Sequence, residues 1–175
     1  MFKKLKRIER VIELTHYSIE TTLVQLGNQS DKKTGAVNPP IYLSTAYKHD
    51  GIGESTGYDY TRTKNPTRTI LEEGIAKLEG GDQGFACSSG MAAVQLVLSL
   101  FKPTDEIIVP EDLYGGTYRL FKVYSDTYNI HPVYSPFESV EQVASLITKN
   151  TKALFIETPT NPLMQEIDLV AYAQL

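Results

Sequence analysis

Residues 84–109 read GFACSSGMAAVQLVLSLFKPTDEIIV, and this stretch decides the fold. Its first four residues form an apolar run that predicts a short buried strand, and the small residues after it predict a tight turn. Residues 91–101 then predict an apolar helix, which Pro103 ends because proline lacks the backbone N–H that a helix interior needs. Residues 106–109 end in the apolar run Ile-Ile-Val and predict the next strand.

The same alternation of strands and helices extends in both directions from this stretch. Upstream, a helix begins at Asn65-Pro66, where asparagine can cap and proline suits the first turn, and it ends at Gly80-Gly81. Alternating elements of this length predict an α/β domain with a mostly parallel sheet, right-handed crossovers and helices on both faces. The downstream elements are helices over 116–124, 140–147 and 169–175 and strands over 130–134 and 153–157.

The part before the first clear helix has a different character. Residues 31–60 are rich in glycine, proline, serine and threonine and show no sustained periodicity, which predicts a long loop that reaches a site or a neighbouring subunit. The basic segment 1–14 has apolar residues at helical spacing and is either a short amphipathic helix or an exposed leader. We therefore divide the sequence into an extension (1–18), an arm (19–64) and an α/β part (65–175).

Bulk composition excludes several classes of function. The chain has 175 residues, 41% of them hydrophobic, and a net charge of −4, so it is long enough for one core and has no basic surface for nucleic acid. No apolar run is long enough to span a membrane, and we expect a cytoplasmic protein. The one cysteine, Cys87, is expected to be a buried small side chain rather than a catalytic thiol. The three histidines lie far apart and do not predict a metal site.

Three loops that follow predicted strands carry side chains suited to chemistry, because open α/β sheets bind ligands at the carboxyl ends of their strands. Ser88-Ser89-Gly90-Met91 would let backbone amides at a helix start surround a phosphate, although a turn that only packs the helix would look the same. Tyr114, on a glycine loop, could stack on a planar ring or lie on the surface. Asn161 lies between two prolines that would hold its amide rigidly, with or without a ligand.

A fourth segment precedes the first clear helix. Arg62 offers a planar fork of donors suited to phosphate oxygens, and Tyr60 would lie on the same side of an extended strand. Solvated charge is the alternative for this arginine. A nucleotide-binding domain is disfavoured, since the sequence has neither the glycine-lysine phosphate loop nor the dinucleotide fingerprint.

Taken together, the four segments resemble the Cys/Met-metabolism group of pyridoxal-phosphate enzymes. This group includes cystathionine γ-synthase, cystathionine β- and γ-lyases, methionine γ-lyase and O-acylhomoserine sulfhydrylase. The segments occur in the same order in that group: Tyr60-x-Arg62-x-x-Asn65-Pro66-Thr67, Ser88-Ser89-Gly90-Met91-Ala92-Ala93, Asp112-Leu113-Tyr114-Gly115-Gly116-Thr117 and Glu157-Thr158-Pro159-Thr160-Asn161-Pro162.

The resemblance implies a cofactor, pyridoxal 5′-phosphate, and the large domain of the type I fold of these transferases. It implies that Ser89, Gly90 and Met91 hold the cofactor phosphate. Tyr114 would stack on the pyridine ring and assist proton transfer, and Asn161 would lie near the phenolic oxygen of the ring. Tyr60 and Arg62, carried on the arm, would reach the phosphate in a neighbouring subunit of a homo-oligomer, a dimer of dimers.

Within the group, the sequence looks most like bacterial cystathionine γ-synthases that also join O-acylhomoserine to a sulfur nucleophile. A lyase of the same group, or a non-catalytic module that acts with a separate carboxyl-terminal half, are the alternatives. The resemblance implies that the segment with the cofactor lysine, and the aspartate for the pyridine nitrogen that precedes it in this group, are not in this sequence. The resemblance therefore implies an amino-terminal portion, cut within its last helix, that is inactive alone.

Overall fold

The computed structural model describes residues 17–28 and 31–175. Contacts divide the chain into two compact units, with the boundary between Ala86 and Cys87, whereas the sequence suggested a division after residue 64. The helix that follows Asn65 therefore groups with the preceding residues. The expectations for residues 1–14 fall on residues outside the described part.

The second unit contains a three-stranded parallel sheet with crossover helices. In chain order its elements are α3 (Gly90–Leu98), β1 (Glu106–Pro110), α4 (Gly115–Tyr128), β2 (His131–Ser135), α5 (Val140–Ser145), β3 (Thr151–Leu154) and α6 (Leu169–Tyr172). The strand order is β2-β1-β3, and both pairings are parallel. The predicted α/β class with a parallel sheet is confirmed.

Helices cover both faces of this sheet because successive side chains of β1 point in opposite directions. Ile107 and Val109 pack with Leu98 of α3 and Phe121 of α4 in one buried cluster. Ile108, which lies between them in the strand, packs on the opposite face. The central strand is thus buried on both sides, as a parallel sheet requires.

The opposite face is closed by the shorter helices. Ile108 packs there with Phe137, with Val143 of α5 and with Tyr172 of α6. The Tyr172 hydroxyl donates a hydrogen bond to the Phe137 carbonyl at 3.0 Å. Burial, and to a smaller extent the carboxylate of Glu141, raise the pKa of Tyr172, so this hydroxyl remains a donor.

The first unit contains α1 (Ile19–Val24) and α2 (Pro66–Glu79). Asn65 caps α2 by accepting from the Thr67 N–H at 2.8 Å, and Gly80, with a φ of 66°, ends it in the left-handed conformation that glycine permits. Both predicted ends of this helix are confirmed. Between residues 31 and 60 the backbone is irregular apart from two isolated bridges, Ala46 to Tyr60 and Gly51 to Glu54.

The structure corrects several sequence-based expectations. Residues 84–87 form no strand, because no described strand pairs with them and the Ala86 N–H instead donates to the Glu72 carboxylate at 3.0 Å. Cys87 is exposed, so its predicted burial is wrong. The last strand spans Thr151–Leu154 rather than 153–157, and α4 continues four residues beyond its predicted end, to the left-handed cap at Asn129.

Candidate cofactor site

One open cleft in the second unit gathers residues from three segments of the chain. Its volume is about 570 Å³, and its walls come from the start of α3, the start of α4 and the residues that follow β3. Five of the residues predicted from the sequence line this cleft: Ser89, Gly90, Met91, Tyr114 and Asn161. The structure therefore brings these five together, while the role of each stays a prediction.

The start of α3 presents unused backbone donors to the cleft. The Ser89 hydroxyl caps the helix by accepting from the Ala92 N–H at 3.1 Å. Among the described residues, no hydrogen bond uses the N–H groups of Gly90 and Met91. A Cβ added at Gly90 would meet no atom within 4 Å, so the space above this first turn is open. Such a helix start has the partial positive charge and the donors that an anion needs.

Tyr114 forms the second wall of the cleft. It is the N-cap residue of α4, and its own N–H donates to the Glu157 carboxylate at 3.0 Å. Its ring lies so close to Gly116 that an added Cβ there would be 2.4 Å from the Tyr114 Cε1. Tyr114 is 46% exposed and lines the cleft, so a ligand there can contact its side chain.

Asn161 forms the third part of the cleft. It lies on a loop that is held in place by hydrogen bonds of Thr160. The Thr160 side chain is 1% exposed, its hydroxyl donates to the Asp112 carboxylate, and it accepts from the Gln165 N–H at 2.9 Å. The same Asp112 oxygen accepts from the Leu163 N–H at 3.0 Å. The backbone on either side of Asn161 is thus held by hydrogen bonds, and not by the adjoining prolines alone.

The two remaining predicted residues, Tyr60 and Arg62, belong to the first unit. The guanidinium carbon of Arg62 lies 4.8 Å from the centre of the Tyr60 ring, so the two side chains stack. The segment is a turn, since the Thr63 and Lys64 N–H groups both donate to the Tyr60 carbonyl at 3.0 Å. The predicted extended strand is therefore wrong here, although the two side chains are together; their role in a neighbouring subunit stays a prediction.

Sequence reasoning missed the residues that hold the site together. Asp112, Glu157 and Thr160 lie inside motifs quoted for their neighbours, but their partners are 43 to 51 positions away in the sequence. The order of the motifs indicated that the loops converge, and nothing in the sequence indicated which side chains link them.

The donor set of the cleft fits a phosphorylated aromatic ring. Unused amides lie at one end, an accessible aromatic ring at the side, and an amide side chain on the third segment. In the part of the chain that the structure describes, no group of three or more histidine, cysteine, aspartate or glutamate side chains could hold a metal ion. Nor is any described helix both long and apolar enough to cross a bilayer.

The fold and the match to a family model define the class of protein, a pyridoxal-phosphate-dependent enzyme. The model, described as Cys/Met metabolism PLP-dependent enzyme, matches residues 20–175. The chain belongs to this family.

Named relatives agree with this assignment. Cystathionine gamma-synthase of Haemophilus influenzae is 61% identical over 160 residues, which cover 91% of this chain and 43% of the relative. Cystathionine gamma-synthase/O-acetylhomoserine (thiol)-lyase of Bacillus subtilis is 58% identical over 90% of this chain and 42% of its own length. Cystathionine γ- and β-lyases also match, at lower identity.

A solved structure supports the fold. Cystathionine gamma synthase from Xanthomonas oryzae pv. oryzae, in complex with aminoacrylate and cysteine, superposes with a TM-score of 0.85 at 38% identity. The alignment covers 91% of this chain and 42% of that one. The chain thus spans less than half the length of the relatives that it matches.

Proposed function

We propose that this chain is the amino-terminal portion of a cystathionine γ-synthase-like enzyme. The reaction is a γ-replacement, in which the sulfur of cysteine or sulfide bonds to the γ-carbon of O-acylhomoserine and the acyloxy group leaves as a carboxylate. Support for this reading comes from the two γ-synthase relatives and from the cleft that gathers Gly90, Tyr114 and Asn161. The whole enzyme would act on small amino acids in the cytoplasm as a homo-oligomer.

Each wall of the cleft has a separate task in this proposal. The N–H groups of Gly90 and Met91, with Ser89 beside them, bind the phosphate of pyridoxal phosphate. The Tyr114 ring packs on the pyridine ring and the Asn161 amide donates to its phenolic oxygen. When bound, the cofactor supplies an electron sink for negative charge at the substrate α-carbon.

Proton movement is the task of Tyr114. Its phenol is accessible from the cleft, and its backbone is fixed by the hydrogen bond from its N–H to Glu157, so the hydroxyl can be aimed at the substrate. A residue so placed can take a proton from the substrate amine or carbon and return it. Tyr60 and Arg62 of a neighbouring copy would add positive charge and a hydroxyl at the phosphate.

Lys149 follows a Ser-x-x-Thr sequence at residues 145–148, but no described lysine lines the cleft. We therefore infer that this polypeptide binds the cofactor without a covalent bond and does not turn over substrate alone. A lyase of the same family is the second candidate, because cystathionine γ- and β-lyases also match this chain.

The experiment that tests the proposal measures binding of 4-deoxypyridoxine 5′-phosphate, which cannot bond to a lysine because it lacks the aldehyde. Gly90→Asp places a carboxylate in the open space above the first turn of α3. We expect at least about tenfold weaker binding, since a negative charge opposes the phosphate at the helix start. Titration by calorimetry gives the dissociation constants.

Gly81→Asp is the matched control, because Gly81 does not line the cleft. It also has room for a side chain, since the nearest atoms would lie 3.9 Å from an added Cβ. This control should bind the analogue as the unaltered chain does. Equal binding by Gly90→Asp and Gly81→Asp, or no binding by the unaltered chain, would contradict the proposed site.

A further inference from the structure

Two loops meet beside the cleft through a single carboxylate. Asp112, on the loop between β1 and α4, accepts hydrogen bonds from the Thr160 hydroxyl and from the Leu163 N–H, the latter at 3.0 Å. Thr160 and Leu163 belong to the loop between β3 and α6. The carboxylate therefore joins segments that lie about 50 positions apart in the chain and that form different walls of the cleft.

Both ends of this link lie close in sequence to residues that line the cleft. Asp112 lies two residues before Tyr114, and Thr160 lies directly before Asn161. A second tie runs between the same loops, since the Tyr114 N–H donates to the Glu157 carboxylate at 3.0 Å. Asp112 and Thr160 are absent from the lining of the cleft, whereas Tyr114, Asn161 and Glu157 are part of it.

We propose that Asp112 and Thr160 are positioning residues that set the separation between the Tyr114 ring and the Asn161 amide. This inference rests on the proposed cofactor site. Thr160 is buried, and its hydroxyl both donates one hydrogen bond and accepts another. Removal of this hydroxyl therefore leaves the Asp112 carboxylate and the Gln165 N–H each without one partner. The phosphate-binding turn at the start of α3 takes no part in this link.

The test compares Asp112→Ala with Glu111→Ala. Both variants remove one carboxylate from the same loop, and the Glu111 side chain is exposed. Loss of one negative charge would by itself strengthen the binding of an anionic ligand, and it would do so equally in both variants. We expect Asp112→Ala to bind 4-deoxypyridoxine 5′-phosphate about tenfold more weakly, and Glu111→Ala to bind it as the unaltered chain does.

Inorganic phosphate is the second ligand, and its binding is followed by phosphorus NMR. Because phosphate needs only the start of α3, its affinity should be the same in Asp112→Ala and in Glu111→Ala. A second pair of variants removes or keeps the hydroxyl: Thr160→Val should lose affinity for the ring-bearing analogue, and Thr160→Ser should retain it. The loss of affinity in the double variant Asp112→Ala with Thr160→Val should be smaller than the sum of the two single losses, since both single variants remove the Thr160–Asp112 hydrogen bond.

The rate of hydrogen exchange at the Leu163 amide measures, without any ligand, whether Asp112 holds this loop. Exchange should be faster in Asp112→Ala than in Glu111→Ala, because only the former loses the acceptor of this N–H. If the unaltered chain binds no analogue, the proposed function fails, and the exchange rates still decide whether the link exists. Equal analogue affinity in Asp112→Ala and Glu111→Ala, or an equal loss of phosphate and analogue affinity, overturns the positioning role.

Discussion

At the scale of single residues, Gly116 illustrates how the shape of the cleft depends on a missing side chain. A Cβ at this position would lie 2.4 Å from the Tyr114 Cε1 and 3.1 Å from the Met91 Sδ. Real Cβ atoms do not come so close to a ring carbon, so the ring would have to move. Gly116 therefore allows the Tyr114 ring to lie across the first turn of α4.

Gly116→Ala should displace the Tyr114 ring and weaken binding of 4-deoxypyridoxine 5′-phosphate by about tenfold, while leaving the affinity for inorganic phosphate unchanged. Gly115→Ala is the control, since a Cβ there meets only the flexible end of Arg119, at 3.3 Å. Calorimetry on both variants makes the comparison. A Gly116→Ala chain that binds the analogue as tightly as Gly115→Ala would show that the ring position does not matter.

The sequence predicted residues that line the cleft better than residues that hold its loops together. Gly90, Tyr114 and Asn161 could be found because each belongs to a short motif that follows a segment predicted to be a strand. Asp112 and Thr160 could not, because their contact depends on how two distant loops fold together. Cys87 was expected to be buried, and it is exposed because the segment before it pairs with no described strand.

At the scale of elements, caps and periodicity predicted the described helices except α1, and tertiary pairing decided the strands. The predicted ends of α2 are confirmed, because Asn65 and Gly80 act within their own helix. Residues 84–87 have the composition of a strand but form none, since a strand is stabilised only by a neighbour. Local signals carry no information about that neighbour.

Asn65 joins a helix to the irregular segment before it. Besides capping α2, its amide donates to the Tyr42 carbonyl and the Thr61 hydroxyl, both at 3.1 Å. Asn65→Ala should therefore lower the free energy of unfolding by roughly 1–2 kcal/mol. Urea unfolding followed by circular dichroism measures this change.

Asn65→Ser keeps a capping oxygen and removes the amide donors, so it should be less destabilising than Asn65→Ala. The difference between the two variants measures the cap, and the remaining loss measures the ties to Tyr42 and Thr61. Identical stability of the two variants would mean that the cap contributes nothing.

At the scale of the whole molecule, the chain belongs to the Cys/Met-metabolism PLP-dependent family and spans less than half the length of its relatives. Alternating elements were enough to predict a parallel α/β sheet with helices on both faces. Contacts place a unit boundary between Ala86 and Cys87, because α2 packs with the residues before it, and the division into an extension, an arm and an α/β part stays a prediction.

A chimera tests whether this chain can serve as half of a working enzyme. In it, the matching residues of the Haemophilus influenzae relative, 61% identical, are replaced by those of this chain. The chimera should form cystathionine from O-acylhomoserine and cysteine, and Tyr114→Phe within it should lower kcat by about 100-fold, the scale of general acid–base catalysis, with a smaller change in KM. A chimera that binds pyridoxal phosphate but forms no cystathionine would contradict the proposed reaction.

The most direct test is an amide NMR titration of the 175-residue chain with 4-deoxypyridoxine 5′-phosphate. The backbone signals of Gly90 and Met91, the ring signals of Tyr114 and the side-chain amide of Asn161 should shift together along one binding curve. Ring protons of the analogue should show Overhauser contacts to Tyr114. Shifts confined to residues outside the cleft, or shifts of Gly90 without those of Tyr114 and Asn161, would contradict a single site for the phosphate and the ring.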